Sequence, residues 1–249
     1  MPDKDGIPGN TVLGYDTLEE YQNDEAFFGA VIGRVGGRIK NAELALDGHT
    51  YNFSENDGNN HIHGGPNGFH RAHWDSFAEI GSDEVRITFS YVSTHGEEGF
   101  PGRLITEVIY TINEANELII SYRAESDKKT MVNLTNHSYF SLSGNLDRIA
   151  LNHELTMDSD SFVELDNSLL PTGNIIPVEN SVFDFRNGRK ISEGINSQHP
   201  QIEIVGGGYN HLFLLKGESV SKMSLADRES GPSQGSGDRP SRSHSLFRQ

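Results

Sequence analysis

Val85-Arg86-Ile87-Thr88-Phe89-Ser90-Tyr91 alternates apolar and polar side chains without a break, which is the period of a half-buried strand. Working outward, Leu104-Ile105-Thr106-Glu107-Val108-Ile109-Tyr110-Thr111-Ile112 is a second strand-forming run. Glu114-Ala115-Asn116-Glu117 then turns the chain into Leu118, Ile120 and Tyr122, with Ile119 and Arg123 on the other face. Two long strands joined by a short polar loop predict an antiparallel hairpin. Residues 43–53 repeat the pattern around an Asp47-Gly48 turn, with Leu44, Leu46, Tyr51 and Phe53 as the apolar set. Short strands are expected at 131–135, 154–157, 162–165 and 212–215, and a short helix near 17–22. The class these patterns predict is all-β: a large antiparallel β-sandwich.

The 249 residues carry 36 acidic side chains against 20 basic ones, a formal net charge of −16. Phosphate backbones and anionic membranes select Lys/Arg-rich surfaces, so the expected partner is neither nucleic acid nor membrane. No apolar run approaches the ~18 residues of a spanning helix. Met1-Pro2-Asp3-Lys4-Asp5 lacks the apolar core of a signal peptide, so the expectation is a cytoplasmic chain. The absence of cysteine excludes disulfides, thiolate-held zinc and thiol nucleophiles together. An active site must therefore be assembled from His, Asp, Glu, Arg, Asn and Tyr.

Three clusters carry chemistry. Five of the eleven histidines fall between His49 and His73, including His61-Ile62-His63-Gly64-Gly65. In one strand, His61 and His63 would share a face as a His-x-His metal pair, completed by His70 or His73. The alternatives are a surface histidine cluster or histidines that orient a polar ligand. The two glycines after His63 predict a tight bend or a close backbone approach. In Asn133-Leu134-Thr135-Asn136-His137-Ser138-Tyr139-Phe140, polar residues sit in an apolar frame, where each needs a partner. His137 is the residue there that most resembles a site residue, with a satisfied core histidine as the alternative. Gly206-Gly207-Gly208-Tyr209-Asn210-His211 is a glycine run leading into an apolar strand, without the Lys-Ser/Thr of a phosphate loop.

Taken in order, six stretches resemble the aldose 1-epimerase (galactose mutarotase) family: residues 28–39 (FGAVIGRVGGRI), 46–51 (LDGHTY), His63-Gly64-Gly65, Asn136-His137-Ser138-Tyr139-Phe140, Leu169-Leu170-Pro171-Thr172-Gly173 and Gly208-Tyr209-Asn210-His211. The resemblance implies a mutarotase-like β-sandwich with a sugar-binding cleft, no cofactor, and a small hexose as partner of a monomer or homodimer. Mutarotation needs an acid at the ring oxygen and a base at the anomeric hydroxyl, and groups that titrate near neutrality suit both transfers. By resemblance His137 is the catalytic acid, His63 the catalytic residue that hydrogen-bonds near the anomeric centre, and Arg38 and Asn210 the sugar-binding residues, with no metal.

Two departures stand out. The family usually carries Asp where Asn210 stands and Asn where Gly37 stands. The family's general base is a Glu on a late strand, whereas here only Glu218 and Glu229 follow His211. From 226 the sequence turns Ser/Gly/Arg-rich and basic. The expected organisation is thus a partial mutarotase-like sandwich over 1–225 and a disordered or out-of-frame tail over 226–249, incomplete at both ends, with impaired activity and a marginal fold. The competing functional readings are a non-catalytic carbohydrate-binding module, which would keep Arg38, His63 and His137 without a base, and a cupin-like metal protein using His61 and His63.

Overall fold

Leu104–Asn113 pairs antiparallel with Leu118–Ser126, and Ile112 lies opposite Leu118 across the turn, as the alternation requires. In this computed structural model every residue is described except 2, 145–147, 217–221, 232 and 237–249. Asp75–Ile80 and Glu84–Ser93 extend the hairpin into a four-stranded sheet in sequence order. Val108 and Thr106 in its central strand are fully buried. At the other end of the same face the register sets Ile80, Val85, Ile112 and Leu118 side by side. All four are exposed, an apolar patch of the kind that invites association.

The described residues fall into two compact units, Gly14–Tyr139 and the combination of Met1–Leu13 with Phe140–Gln249. In the first, Glu43–Leu46 and His49–Asn52 close on the Asp47-Gly48 turn, with both turn residues at positive φ. The helix is Leu18–Gln22, started by a capping box in which Thr17 and Glu20 satisfy each other's backbone N–H groups. Val35, Ile39, Ala42, Phe53 and Phe100 form the core under these elements, and burying each aromatic ring is worth about 1.5–3 kcal/mol. Arg34 is buried at 1% exposure, and its guanidinium donates to the Ser93 hydroxyl and to the carbonyls of Ser93, Thr94 and Pro101. A charge at that depth is tolerable because each side of its planar fork meets an acceptor.

In the second unit, Ser159–Leu165 lies between Pro171–Pro177 and Phe213–Leu215. Glu154–Met157 lies between Arg189–Lys190 and Met223–Ala226. Phe162, Val178, Phe183 and Ile202 pack as its core, with the Phe162 and Phe183 rings stacked 4.0 Å apart. Every named strand pair in both units is antiparallel.

Two expectations meet a different local structure. The strand expected at 131–135 is Thr135–Asn136, preceded by an isolated bridge between Val35 and Asn133. The boundary expected at 225/226 falls inside the strand Met223–Ala226, and Arg148 pairs with Asp227 and Glu229 just beyond it. The end of the expected tail, 237–249, and Glu218 lie outside the described residues. Among the described residues no helix is long and apolar enough to cross a membrane.

Candidate active site

The site is assembled where two short strands of the Gly14–Tyr139 unit meet. Val31–Ile32 pairs with Thr135–Asn136. Just past that pairing, His137 donates its backbone N–H to Ala30 at 2.9 Å and accepts from Gly29 N–H at 3.3 Å. The polar neighbours expected to need partners have them. The Asn136 amide donates to the Tyr110 hydroxyl at 3.0 Å and to the Gly29 carbonyl at 3.3 Å, and the Asn133 amide donates to the Gly36 carbonyl at 3.0 Å. His137 therefore projects from a fully tied segment.

His63 arrives from the other side. Arg38–Ile39 pairs with His61–Ile62, and the strand ends there because His63 takes φ 55° and Gly64 φ 83°. The shared face of a His-x-His pair consequently does not form. His61 is fully buried, its ring 5.1 Å from Phe53 and 5.5 Å from Phe100, with Nδ1 against the Ser54 carbonyl. His63 instead meets His137, with the rings 5.3 Å apart and 82° between planes. Among the described residues no group of three or more His, Asp or Glu side chains is placed to hold a metal ion.

The two glycines explain themselves by proximity. A Cβ on Gly64 would stand 1.8 Å from the Gly33 carbonyl oxygen, and one on Gly65 would stand 2.2 Å from the Glu98 carboxylate. The same Gly33 carbonyl accepts the Phe69 N–H at 3.2 Å, so the loop carrying His63 lies directly on the segment that leads to Arg38.

Protonation follows from the hydrogen bonds. The Gly37 N–H donates to His63 Nδ1 at 3.1 Å, which requires an unprotonated Nδ1 and assigns the proton of the neutral ring to Nε2. Burial pushes His63 down to about 4, reinforced by His137, the Arg38 guanidinium and His70, with Asp57 opposing. His70 is likewise pushed down to about 4, first by burial and then by Arg71. His63 is thus a neutral hydrogen-bond donor at physiological pH. Arg38 donates through Nε to Asp57 at 2.6 Å, an ion pair that fixes the guanidinium beside His63.

This has a stability consequence. The folded chain resists protonation of His63 and His70 down to about 4, while in the unfolded chain they titrate near 6.5. Between those values the unfolded state binds protons that the folded state refuses, so their contribution is fully present above the upper value and lost as pH falls through the window. The urea midpoint is expected to drop between about pH 7 and about pH 5, and less so in a His63→Gln, His70→Gln double variant. Equal drops in the two proteins would contradict these protonation states.

Asn210 lies in the other unit and is exposed. Its backbone N–H donates to His211 Nδ1 at 3.3 Å, and His211 Nε2 meets the Gln201 amide oxygen at 3.1 Å. Gln201 is itself bonded to both backbone groups of Leu165. Asn210 thus precedes the strand Phe213–Leu215 on a loop anchored through its neighbour. Sequence reasoning missed Asp57, which sits in an Asn/Gly-rich turn with no pattern marking it as an arginine partner, and Phe27, which touches three histidine rings.

Comparison with known proteins adds the relatives. The aldose 1-epimerase family model matches residues 1–233. Galactose mutarotase of Bos taurus is 39% identical over 223 residues, 90% of this chain and 62% of that protein. Aldose 1-epimerase of Escherichia coli (strain K12) is 35% identical over 226 residues, 91% of this chain and 64% of that protein. The chain thus spans under two thirds of the length of these relatives. Among solved structures, galactose 1-epimerase from Lactobacillus acidophilus NCFM superposes with a TM-score of 0.81 at 30% identity, over 90% of this chain and 64% of that one. An aldose epimerase homologue from C. elegans superposes with a TM-score of 0.83 at 33% identity, over 94% of this chain and 69% of that one. These likenesses bear out the all-β, mutarotase-like fold.

Proposed function

The chain belongs to the aldose 1-epimerase family, and from that premise we propose that it interconverts the α and β anomers of hexoses such as galactose and glucose. The observation that carries the reading is the pairing of His63 and His137, rings 5.3 Å apart, on separate segments whose backbones are each tied by hydrogen bonds. His137 gives a proton to the ring oxygen as the C1–O bond breaks, and the anomeric hydroxyl gives up its proton as the C1 carbonyl forms. The C1–O bonding pair goes to the ring oxygen, and the O–H pair of the anomeric hydroxyl becomes the carbonyl π bond. Rotation about C1–C2 and the reverse transfers close the ring on either face, and no proton is consumed. His63 donates through Nε2–H to oxygen near the anomeric centre. Asp57, whose field reaches His63, is held by Arg38; in the proposed reaction the proton leaving the anomeric oxygen is taken up by a water molecule and returned on ring closure. The terminal nitrogens of Arg38 take sugar hydroxyls; for Asn210 the same role is proposed from its match to the family motif alone.

An amide accepts a hydroxyl less strongly than a carboxylate does. Asn210→Asp is therefore expected to lower KM about fivefold, corresponding to about 1 kcal/mol for one bond made charge-assisted. An unchanged KM would remove Asn210 from the sugar contacts. The function itself is tested by saturation transfer between the α and β anomeric proton signals of galactose. Transfer that scales with protein concentration is expected. Sugar binding without transfer would make the chain a binding module and overturn the proposal.

A further inference from the structure

One aromatic ring touches all three imidazoles of the site. Phe27 lies 5.1 Å from His63 and 4.8 Å from His70, edge to face in both cases, and 5.6 Å from His137. Its backbone sits at φ 60°, a left-handed conformation that bulky residues rarely adopt and that is kept where the surroundings over-determine it.

The surroundings here do so. Asp24 is 9% exposed, and its carboxylate accepts the N–H groups of Ala26 and Phe28 at 2.7 Å each, together with the Tyr15 hydroxyl at 3.1 Å. Arg71 donates to the carbonyls of Gln22 and Asp24 from below the same turn. Phe28 stacks on Tyr15 at 5.0 Å and meets Tyr139 edge-on at 5.0 Å. Behind it the Phe27 carbonyl accepts the Ala30 N–H at 3.1 Å, and the Ala30 carbonyl accepts from His137. The turn is clamped on both flanks and delivers a single ring to the histidines. Phe28 serves the clamp, whereas Phe27 serves the imidazoles.

We propose that Phe27 is a positioning residue for the reaction: its ring fixes the relative placement of His63 and His137 and keeps water from the side of the imidazoles it covers. This rests on the epimerase reading for its catalytic consequence, but its geometric content stands apart from activity. Four charged or titratable groups act on His63, namely His137, Arg38, His70 and Asp57, and burial is the largest influence on its ring. A ring that supplies that burial leaves a signature when it is removed.

The experiment combines histidine titration by NMR with steady-state mutarotation in Phe27→Ala, Phe27→Leu, Phe27→Tyr and Phe28→Leu. In the parent, burial pushes His63 down to about 4. In Phe27→Ala the His63 midpoint is expected to rise by roughly one pH unit or more as water reaches the ring. kcat falls about 10–100-fold, with KM changed far less, because a misplaced pair loses alignment before it loses binding. Phe27→Leu shifts the midpoint in the same direction by less and decides the matter if the alanine variant does not fold. Phe27→Tyr restores both readouts. Phe28→Leu lowers Tm but leaves the His63 midpoint in place. A folded Phe27→Ala or Phe27→Leu protein with the parent's midpoint overturns the proposal. If the parent itself shows no mutarotation, the epimerase reading fails, and the titration alone still decides whether Phe27 holds the imidazoles.

Discussion

His137→Asn is expected to slow protein-catalysed anomer exchange by about 10²–10⁴-fold, the usual contribution of a general acid–base group. The change is nearly silent for the fold. The backbone hydrogen bonds of residue 137 to Ala30 and Gly29 do not involve the side chain, and the pairing of Val31 with Asn136 is untouched. What the fold loses is the packing of the imidazole against Phe27 at 5.6 Å, His63 at 5.3 Å and Tyr139 at 5.1 Å. Contacts of that kind are worth about 0.5–1.5 kcal/mol each, so Tm falls by a few degrees and the chain stays native. Asparagine is polar and compact, but it cannot pass a proton to the ring oxygen. Loss of rate with retained cooperative unfolding is the expected pair of results, and a folded variant with the parent's rate would remove His137 from the chemistry.

Gly64→Ala is expected to destabilise the chain by about 2–4 kcal/mol, adding the strain of a side chain at positive φ to an overpacking clash. The added methyl would stand 1.8 Å from the Gly33 carbonyl oxygen and 2.4 Å from its carbon. Backbone on both sides must give way, and what gives way carries His63. Activity is therefore lost along with stability, even though residue 64 has no side chain in the chemistry. Gly48→Ala is the control. Gly48 has φ 78°, and a methyl added there would meet nothing within 4 Å, so only the conformational term remains, about 1 kcal/mol. Equal destabilisation by the two variants, read from urea midpoints, would mean that the Gly33 contact does not hold the loop.

The long strands were legible because period two is written in adjacent residues. The pairs Ile112 with Leu118 and Leu46 with His49 follow from the alternation and from the turns that each local run contains. The short strand Thr135–Asn136 was harder, since two residues cannot show a period and their partner, Val31–Ile32, lies about a hundred positions away. His61 and His63 look like one strand face only if the strand continues. The glycine at 64 is the local sign that it does not, but the reason, a carbonyl of residue 33 in the way, is tertiary. His63, His137, Arg38 and Asn210 could be singled out by resemblance to a family. Phe27 could not, because its role comes from a backbone conformation fixed by Asp24 and not from its residue type.

Catalysis of anomer exchange by the imidazole pair, with His137 as the proton donor, is tested most directly by polarimetry on freshly dissolved α-galactose. The optical rotation is predicted to relax faster than in buffer alone, with an increment proportional to protein concentration that disappears in His137→Asn. No increment from the folded parent, or an increment of the same size from the folded variant, would contradict the account.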